Sequence, residues 1–224
     1  MAVDVRRGSE RLTGGSEGIV SRYAFSFGDH YDPRNIHFGP LIAVNEECLE
    51  PGAGFGEHRH RDTEIVTWVV EGELEHRDSA GRGGVVRPGM VQRMSAGGGV
   101  THTERNVGAS PVRFVQMWVQ PDAFGGDPRY EQRVVDLGRG GLVTVLRLPH
   151  ATLRAARPRG GEEVELPSAP FVYLHVVRGS LRLDGHELGP GDSARITDAA
   201  GERVFVPEGA EFLVWEMRKD LSFG

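Results

Sequence analysis

The amino-acid sequence predicts an all-β protein that contains two related β-barrels or sandwiches and few short helices. Three observations support this fold class. Glycine and proline, with 32 and 13 copies, make up 45 of the 224 residues, a fraction that favours many turns. Short runs rich in β-branched residues recur along the chain, each bounded by glycine or proline. The order of these runs in the first half returns in the second half, which indicates a weak two-fold internal repeat.

The strand candidates of the first half are short and closely spaced. They read LIAVNEECLEP, IVTWVVEGELEHRD, GGVVRPGMVQRM and PVRFVQMWVQP. The second half contains FVYLHVVRGSLRLDG. In this run an apolar strand, a charged residue, a glycine and an alternating strand follow one another in the same order as in IVTWVVEGELEHRD. Gly72 corresponds to Gly179 and Gly89 to Gly191 in this alignment, and the longer spacing in the first copy predicts a longer hairpin there.

The turn-rich stretch 119–133, VQPDAFGGDPRYEQR, is the nearest feature to a domain boundary. We therefore expect an N-terminal domain over residues 1–125 and a C-terminal domain over residues 126–224. A short helix with Pro128 near its first turn is the strongest helix candidate, although its window lacks a sustained apolar stripe.

Composition and charge narrow the class of protein. The net charge is -6 and there is no long block of lysine or arginine, which disfavours binding to a nucleic-acid backbone. The single cysteine excludes an intrachain disulfide. No window has the run of about 18 apolar residues that a membrane span needs, and the first residues do not resemble a signal peptide. These features predict a cytoplasmic protein.

Two pairs of polar residues have the spacing of metal ligands. His58 and His60 are separated by one residue, and alternate side chains of a strand share a face. His102 and Glu104 repeat this spacing just after three consecutive glycines. Three imidazoles and one carboxylate are ligand types of a divalent transition-metal site.

These motifs resemble those of the cupin superfamily. His60 is followed after twelve residues by Gly72, as in the first cupin motif, and the segment 89–106 is similar to the second. The runs SRYAFSFGDHYDP, HRHRDTEIVTWVVEGELEHRDS and RPGMVQRMSAGGGVTHTERN resemble the pirin family of bicupins more closely. The resemblance is dense in the first half and architectural in the second.

The pirin resemblance implies a ligand set and a metal. His58, His60, His102 and Glu104 match the metal ligands of that family, which usually holds iron and accepts nickel, copper, zinc or manganese. Glu64 offers a second carboxylate, but the resemblance favours a supporting or strand-end role for it. Arg59, where many pirins have proline, is expected to point away from the metal.

The resemblance also implies a function. Pirin-like proteins are known for quercetinase-type dioxygenation of a flavonol, a small molecule that chelates the metal. We expect such an enzyme, and consider Glu104 as a proton acceptor. The alternative is a non-catalytic metal or redox sensor that regulates a partner protein; a cupin-type epimerase is less favoured because it lacks a base outside the ligand set.

The second half lacks the ligand pattern. The positions that correspond to the first-half ligands are Glu165, Pro167, Val204 and Val206. We therefore expect a C-terminal cupin without metal.

The remaining histidines have no companion at ligand spacing. We expect His76 to be exposed on its strand, and His150, His175 and His186 to be structural or solvated. His30 and His37 of the FGDHYDPRNIHFG loop are less easily dismissed, because the pirin resemblance places that loop close to the mouth of the metal barrel, but a role is still not favoured for them. Phe38 and Trp118 are candidates for lining the cavity, although aromatic residues in β-barrels are more often core.

Overall fold

The structure is a computed structural model that describes residues 1–138 and 140–221. Over these residues the chain forms 21 strands and one short 3₁₀ helix, Gly8–Glu10. The prediction of an all-β fold with few short helices is confirmed. In chain order the strands are β1 (Ala2–Arg6), β2 (Leu12–Ser16), β3 (Ile19–Tyr23), β4 (Leu41–Leu49), β5 (Gly54–His60), β6 (Glu64–Glu71), β7 (Leu74–Asp78), β8 (Gly83–Val86), β9 (Met90–Ser95), β10 (Val100–Asn106), β11 (Val112–Val119), β12 (Arg129–Val134), β13 (Val143–Arg147), β14 (Ala151–Ala156), β15 (Glu163–Glu165), β16 (Ser168–Gly179), β17 (Leu181–Leu183), β18 (His186–Leu188), β19 (Ser193–Ala200), β20 (Arg203–Phe205) and β21 (Ala210–Met217).

The chain divides into two compact units. The N-terminal unit comprises Leu12–His37 and Leu41–Val135. Its antiparallel strands form a seven-stranded sheet in the order β12-β9-β6-β11-β4-β3-β2 and a four-stranded sheet in the order β5-β10-β7-β8. Apolar side chains from both sheets pack together between them, because alternate residues of each strand face inward. This core includes Leu49, Val69, Leu74, Val86 and Phe114.

The C-terminal unit comprises Met1–Arg11, Phe38–Pro40 and Asp136–Gly224. It has a six-stranded sheet in the order β1-β19-β16-β21-β14-β13 and a four-stranded sheet in the order β15-β20-β17-β18. A single large apolar cluster fills its interior. The first strand of the chain belongs here, because β1 pairs with β19 and packs Val3 and Val5 against that cluster.

The compact units differ from the expected domain limits. The expectation divides the chain between residues 125 and 126, whereas the units divide between 135 and 136 and assign residues 1–11 to the C-terminal unit. Strand pairing accounts for the later division, since β12 pairs with β9 over its whole length. The same pairing makes the short helix suggested after Pro128 wrong, because the residues that follow it form β12.

The predicted two-fold repeat has a physical basis at two glycines. Gly72 and Gly179 connect equivalent strands and have φ angles of 78° and 74°. A Cβ at Gly72 would lie 2.8 Å from the carbonyl oxygen of Pro111, and one at Gly179 would lie 2.0 Å from that of Gly209. Both positions therefore need glycine for its left-handed conformation and for a close approach of backbone.

No helix among the described residues has the length and apolar character to cross a membrane.

We predict that Gly72→Ala destabilises the N-terminal unit more than Gly81→Ala does. Both glycines have similar φ angles, 78° and 76°, but a Cβ at Gly81 would meet no atom within 4 Å. The left-handed conformation should cost each variant about 1 kcal/mol, and overpacking at Gly72 should cost about 1–3 kcal/mol more. Urea unfolding of the two variants and the wild type measures the difference. Equal losses would contradict the role given to the close contact.

Candidate metal centre

Three imidazoles converge inside the N-terminal unit. His58 and His60 lie on β5, and His102 lies on the neighbouring β10 directly opposite His58. The ring centroids are 4.3 Å apart for His58 and His102, 4.8 Å for His58 and His60, and 4.9 Å for His60 and His102. One ring nitrogen of each lies within 4.8 Å of the others. The structure thus brings together the three histidines that the sequence predicts as ligands.

A β-bulge determines which side chains of β5 face this cluster. On β10 and β5, His102 is paired with His58 but Glu104 is paired with Phe55, so β5 contains one extra residue between the two pairs. The bulge carbonyl of Gly56 accepts a hydrogen bond of 2.7 Å from Nδ1 of His58. Because a carbonyl oxygen only accepts, this bond places the proton of His58 on Nδ1 and leaves Nε2 for a metal.

The other two imidazoles are held neutral by burial. Desolvation, followed by the influence of His58, lowers the pKa of His60 to about 4. The same two causes, with smaller contributions from His76 and His60, lower the pKa of His102 to about 2. The Nε2 atoms of His60 and His102 are buried and have no hydrogen-bond partner in the described part of the chain. Neutral imidazoles with unpartnered nitrogens suit a divalent transition metal.

Glu104 is fixed by a hydrogen-bonded chain that begins at Trp118. The indole Nε1 of Trp118 donates to Oε1 of Gln116 at 3.1 Å, and Nε2 of Gln116 donates to both carboxylate oxygens of Glu104 at 3.0 and 2.9 Å. An indole nitrogen only donates, so it determines which end of the Gln116 amide faces Glu104. Burial raises the pKa of Glu104 to about 7, and the Gln116 hydrogen bonds oppose that rise.

Glu64 lies at the start of β6 and has other partners. Its Oε2 accepts a hydrogen bond of 2.7 Å from Arg93, and its Oε1 accepts one of 2.6 Å from Ser95. Glu64 is absent from both groups of potential metal ligands among the described residues. Its position at the start of β6, with Arg93 and Ser95 as partners, fits the strand-end role rather than a supporting one.

His76 is a member of the site that the sequence analysis missed. The expectation of an exposed side chain is wrong, because His76 is fully buried. Its Nδ1 lies 3.1 Å from Nδ1 of His102, and ligand atoms of His76, His102 and Glu104 lie within 4.8 Å of one another. The strand alternation offers a signal, since His76 shares a face of β7 with the buried Leu74.

The histidines outside the site fit structural or solvated roles. His30 contacts the carbonyl oxygen of Thr13 at 3.1 Å. In the C-terminal unit, His175 is buried and its Nδ1 lies 3.0 Å from Nη2 of Arg11. His150 and His186 have exposed side chains.

Aromatic side chains lie beside the histidine cluster. Trp118 meets His60 edge to face at a centroid distance of 4.8 Å, and Phe27 of the loop after β3 meets Trp118 at 5.1 Å. Trp118 is only partly buried. Phe38 belongs to the C-terminal unit, where it packs on Phe171 at 5.5 Å.

A second buried carboxyl group lies on β4. Glu47 is buried and accepts a short hydrogen bond from the hydroxyl of Ser21. Burial raises the pKa of Glu47 to about 8, the Ser21 bond opposes this, and the nearby Glu104 adds to it. The interior therefore favours the protonated form of Glu47 near neutral pH.

We predict that Glu47→Gln stabilises the metal-free protein increasingly as the pH rises from 4.5 to 8. The folded pKa near 8 lies above the ordinary value of 4.5, so the unfolded chain ionises first and wild-type stability is lost across this interval. The neutral amide avoids this loss, and its advantage should reach the order of a few kcal/mol. Urea unfolding of both proteins across this pH range provides the measurement. A difference that does not change with pH would refute the assignment.

We predict that Glu104→Gln weakens Zn²⁺ or Ni²⁺ binding while Glu64→Gln does not. Loss of an outer partner of a metal site costs about 10–100-fold in affinity, so loss of a ligand should cost at least about 100-fold. Competition with a chromophoric chelator measures both affinities. The double variant His58→Ala with His60→Ala serves as the reference for lost binding, with circular dichroism to verify its fold. Comparable losses in the two glutamate variants would show that the assignment of the carboxylate is wrong.

Comparison with known proteins gives the family. Residues 5–119 match the family model described as Pirin, and residues 144–217 match that of the quercetinase C-terminal cupin domain. A Mycobacterium tuberculosis protein that carries the provisional name quercetin 2,3-dioxygenase is 47% identical, over 98% of this chain and 97% of that protein.

A curated sequence and a crystal structure from Escherichia coli extend the comparison. The sequence, named quercetin 2,3-dioxygenase, is 30% identical, over 95% of this chain and 97% of its own. The crystal structure of the bacterial pirin YhhW in complex with nickel(II) superposes with a TM-score of 0.91 at 30% identity, and covers 97% of this chain and 100% of that chain. The chain with its buried histidine cluster therefore belongs to the pirin family of bicupin proteins.

Proposed function

We propose that the protein is a metal-dependent dioxygenase of the quercetinase type. The observation that supports this proposal is the convergence of His58, His60 and His102, in which the Nε2 atoms of His60 and His102 are buried without protein partners among the described residues. A purely structural cluster would bury these nitrogen lone pairs at a cost of about 1–3 kcal/mol for each unsatisfied group. Metal binding removes that cost.

The proposed ligands are His58, His60, His102 and Glu104. Glu104 follows His102 on the same face of β10 and is held as an acceptor by Gln116. In the structure its carboxylate is grouped with His102 and His76 rather than with His58 and His60. The proposed ligand set therefore requires the Glu104 carboxylate to move toward the three-histidine cluster.

These four residues would hold a divalent transition metal, which would polarise a chelating substrate. We propose iron as the resident metal, and nickel, copper, zinc and manganese suit the same nitrogen and oxygen donors. The neutral imidazoles and the single carboxylate leave one net positive charge at such a centre, which favours an anionic substrate oxygen.

The proposed substrate is a flavonol or another planar molecule with adjacent oxygen atoms. Trp118 and Phe27 provide aromatic surface beside His60, and Trp118 is partly exposed. Rings at this position can stack on a planar ligand and orient its oxygens toward the histidines. The names of the mycobacterial and E. coli relatives support the same substrate class.

Glu104 is a candidate proton acceptor for the substrate hydroxyl. Its pKa of about 7 is suited to proton exchange at neutral pH. A ligating carboxylate is a weaker base, so this role requires Glu104 to leave the metal transiently. A Glu104→Gln protein that keeps its metal and full activity would exclude it.

We predict oxygen consumption with a flavonol after anaerobic reconstitution with Fe²⁺. An oxygen electrode measures uptake across a panel of flavonols and of analogues that lack the chelating hydroxyl. The analogues and the double variant His58→Ala with His60→Ala should consume no oxygen. Elemental analysis of the purified protein identifies the metal.

Stoichiometric metal binding without oxygen consumption on any substrate would contradict the proposed dioxygenase activity. That result would favour the alternative, a cytoplasmic metal or redox sensor that regulates a partner protein.

A further inference from the structure

His76 is the one buried imidazole of the site that the proposed ligand set leaves unused. It lies on β7, opposite Glu104 of β10. Three neighbours hold it: His102 at 3.1 Å between the Nδ1 atoms, Gln92 at 3.4 Å from its Nε2 to the same Nδ1, and the ring of Tyr130 stacked at a centroid distance of 4.7 Å and an angle of 15°. A ring held in this way has a fixed orientation.

The direction of the hydrogen bonds around His76 follows from Tyr130. The single phenol proton of Tyr130 is shared between Oε1 of Gln92 at 3.2 Å and Oε1 of Gln132 at 3.1 Å. With its oxygen on the Tyr130 side, Gln92 turns its amide nitrogen toward His76. An amide nitrogen only donates, so Nδ1 of His76 must be the acceptor. The proton of a neutral His76 then resides on Nε2.

The acceptor at His76 determines the proton position on His102. Two Nδ1 atoms at 3.1 Å form a hydrogen bond only if one of them is protonated. Since Nδ1 of His76 accepts, Nδ1 of His102 carries the proton. The lone pair of His102 is then on Nε2, the buried atom without a protein partner. The opposite tautomer would block this nitrogen with a proton.

We propose that His76 is a positioning residue that selects the metal-binding tautomer of His102, and that Gln92 and Tyr130 maintain His76 as the acceptor. This inference rests on the proposed metal centre and adds a determinant of its affinity. In this tautomer His76 is not a ligand, because its Nδ1 accepts the hydrogen bonds and its proton occupies Nε2, a buried atom without a protein partner among the described residues.

The tautomers of the metal-free wild-type protein provide the first test. Nitrogen-15 NMR of the histidine rings distinguishes a protonated from an unprotonated nitrogen. We expect His102 to be protonated at Nδ1 and His76 at Nε2, with a coupling across the hydrogen bond between the two Nδ1 atoms. A His102 ring protonated at Nε2 would overturn the proposal without any variant.

Zn²⁺ affinity of three variants provides the second test. His76→Phe keeps a ring for Tyr130 but removes the acceptor, and should weaken Zn²⁺ binding by about 10–100-fold. His76→Asn places an amide oxygen near the position of Nδ1 and should recover most of the affinity. Tyr130→Phe frees the Gln92 amide to turn, and should cause a smaller loss of the same sign. His186→Phe, at an exposed position of β18, is the matched control and should bind as the wild type does.

The outcomes separate this inference from the proposed function. If the wild type binds Zn²⁺ and His76→Phe binds it equally well, the inference fails while the metal centre stands. If His76→Asn and His76→Phe lose affinity equally and the metal shifts a His76 nitrogen resonance directly, His76 is a ligand and the inference is overturned. If the wild type binds neither Zn²⁺ nor Fe²⁺, the proposed function fails first.

Discussion

The site depends on the cost of removing imidazoles and carboxylates from water. Burial in the N-terminal unit lowers the pKa of His60, His76 and His102 and raises that of Glu104. Neutral imidazoles are ready to bind a metal without releasing protons, whereas neutral Glu104 must ionise to do so. Of these four groups, only Glu104 would therefore release a proton when a metal binds.

Two glutamines orient individual polar atoms of the buried site. Gln92 and Gln116 flank Thr67 in one cross-strand row of the seven-stranded sheet. Each glutamine accepts a hydrogen bond from an aromatic donor through its oxygen, and each presents its nitrogen to the site, one to His76 and the other to Glu104. The same chemical device thus fixes an imidazole on one side and a carboxylate on the other. Apolar replacement of either glutamine would leave a buried polar group unsatisfied.

Much of the fold and three of the four histidines of the site could be predicted from the sequence. Period-two alternation and paired glycines identify the strands and the repeat, and the spacing of His58 with His60 brings two rings to one face. His76 was missed because its partners lie on other strands, and cross-strand pairing is a tertiary property. Strand β12 was missed because its residues are mostly polar and exposed, so only its pairing with β9 defines it. Hydrogen-bond direction depends on side chains that no short motif contains.

The extra residue in β5 has a consequence for transplanting this centre into another protein. Because of it, Phe55 and His58 both face the interior although they are three residues apart, a spacing that places side chains of a regular strand on opposite faces. A graft that copied only the histidines onto a regular strand would orient either the rings or the adjoining core side chains outward. The transferable unit is the strand with its irregular backbone, including the Gly56 carbonyl that holds His58. In the N-terminal unit the irregular backbone is as much a part of the proposed metal centre as the side chains are.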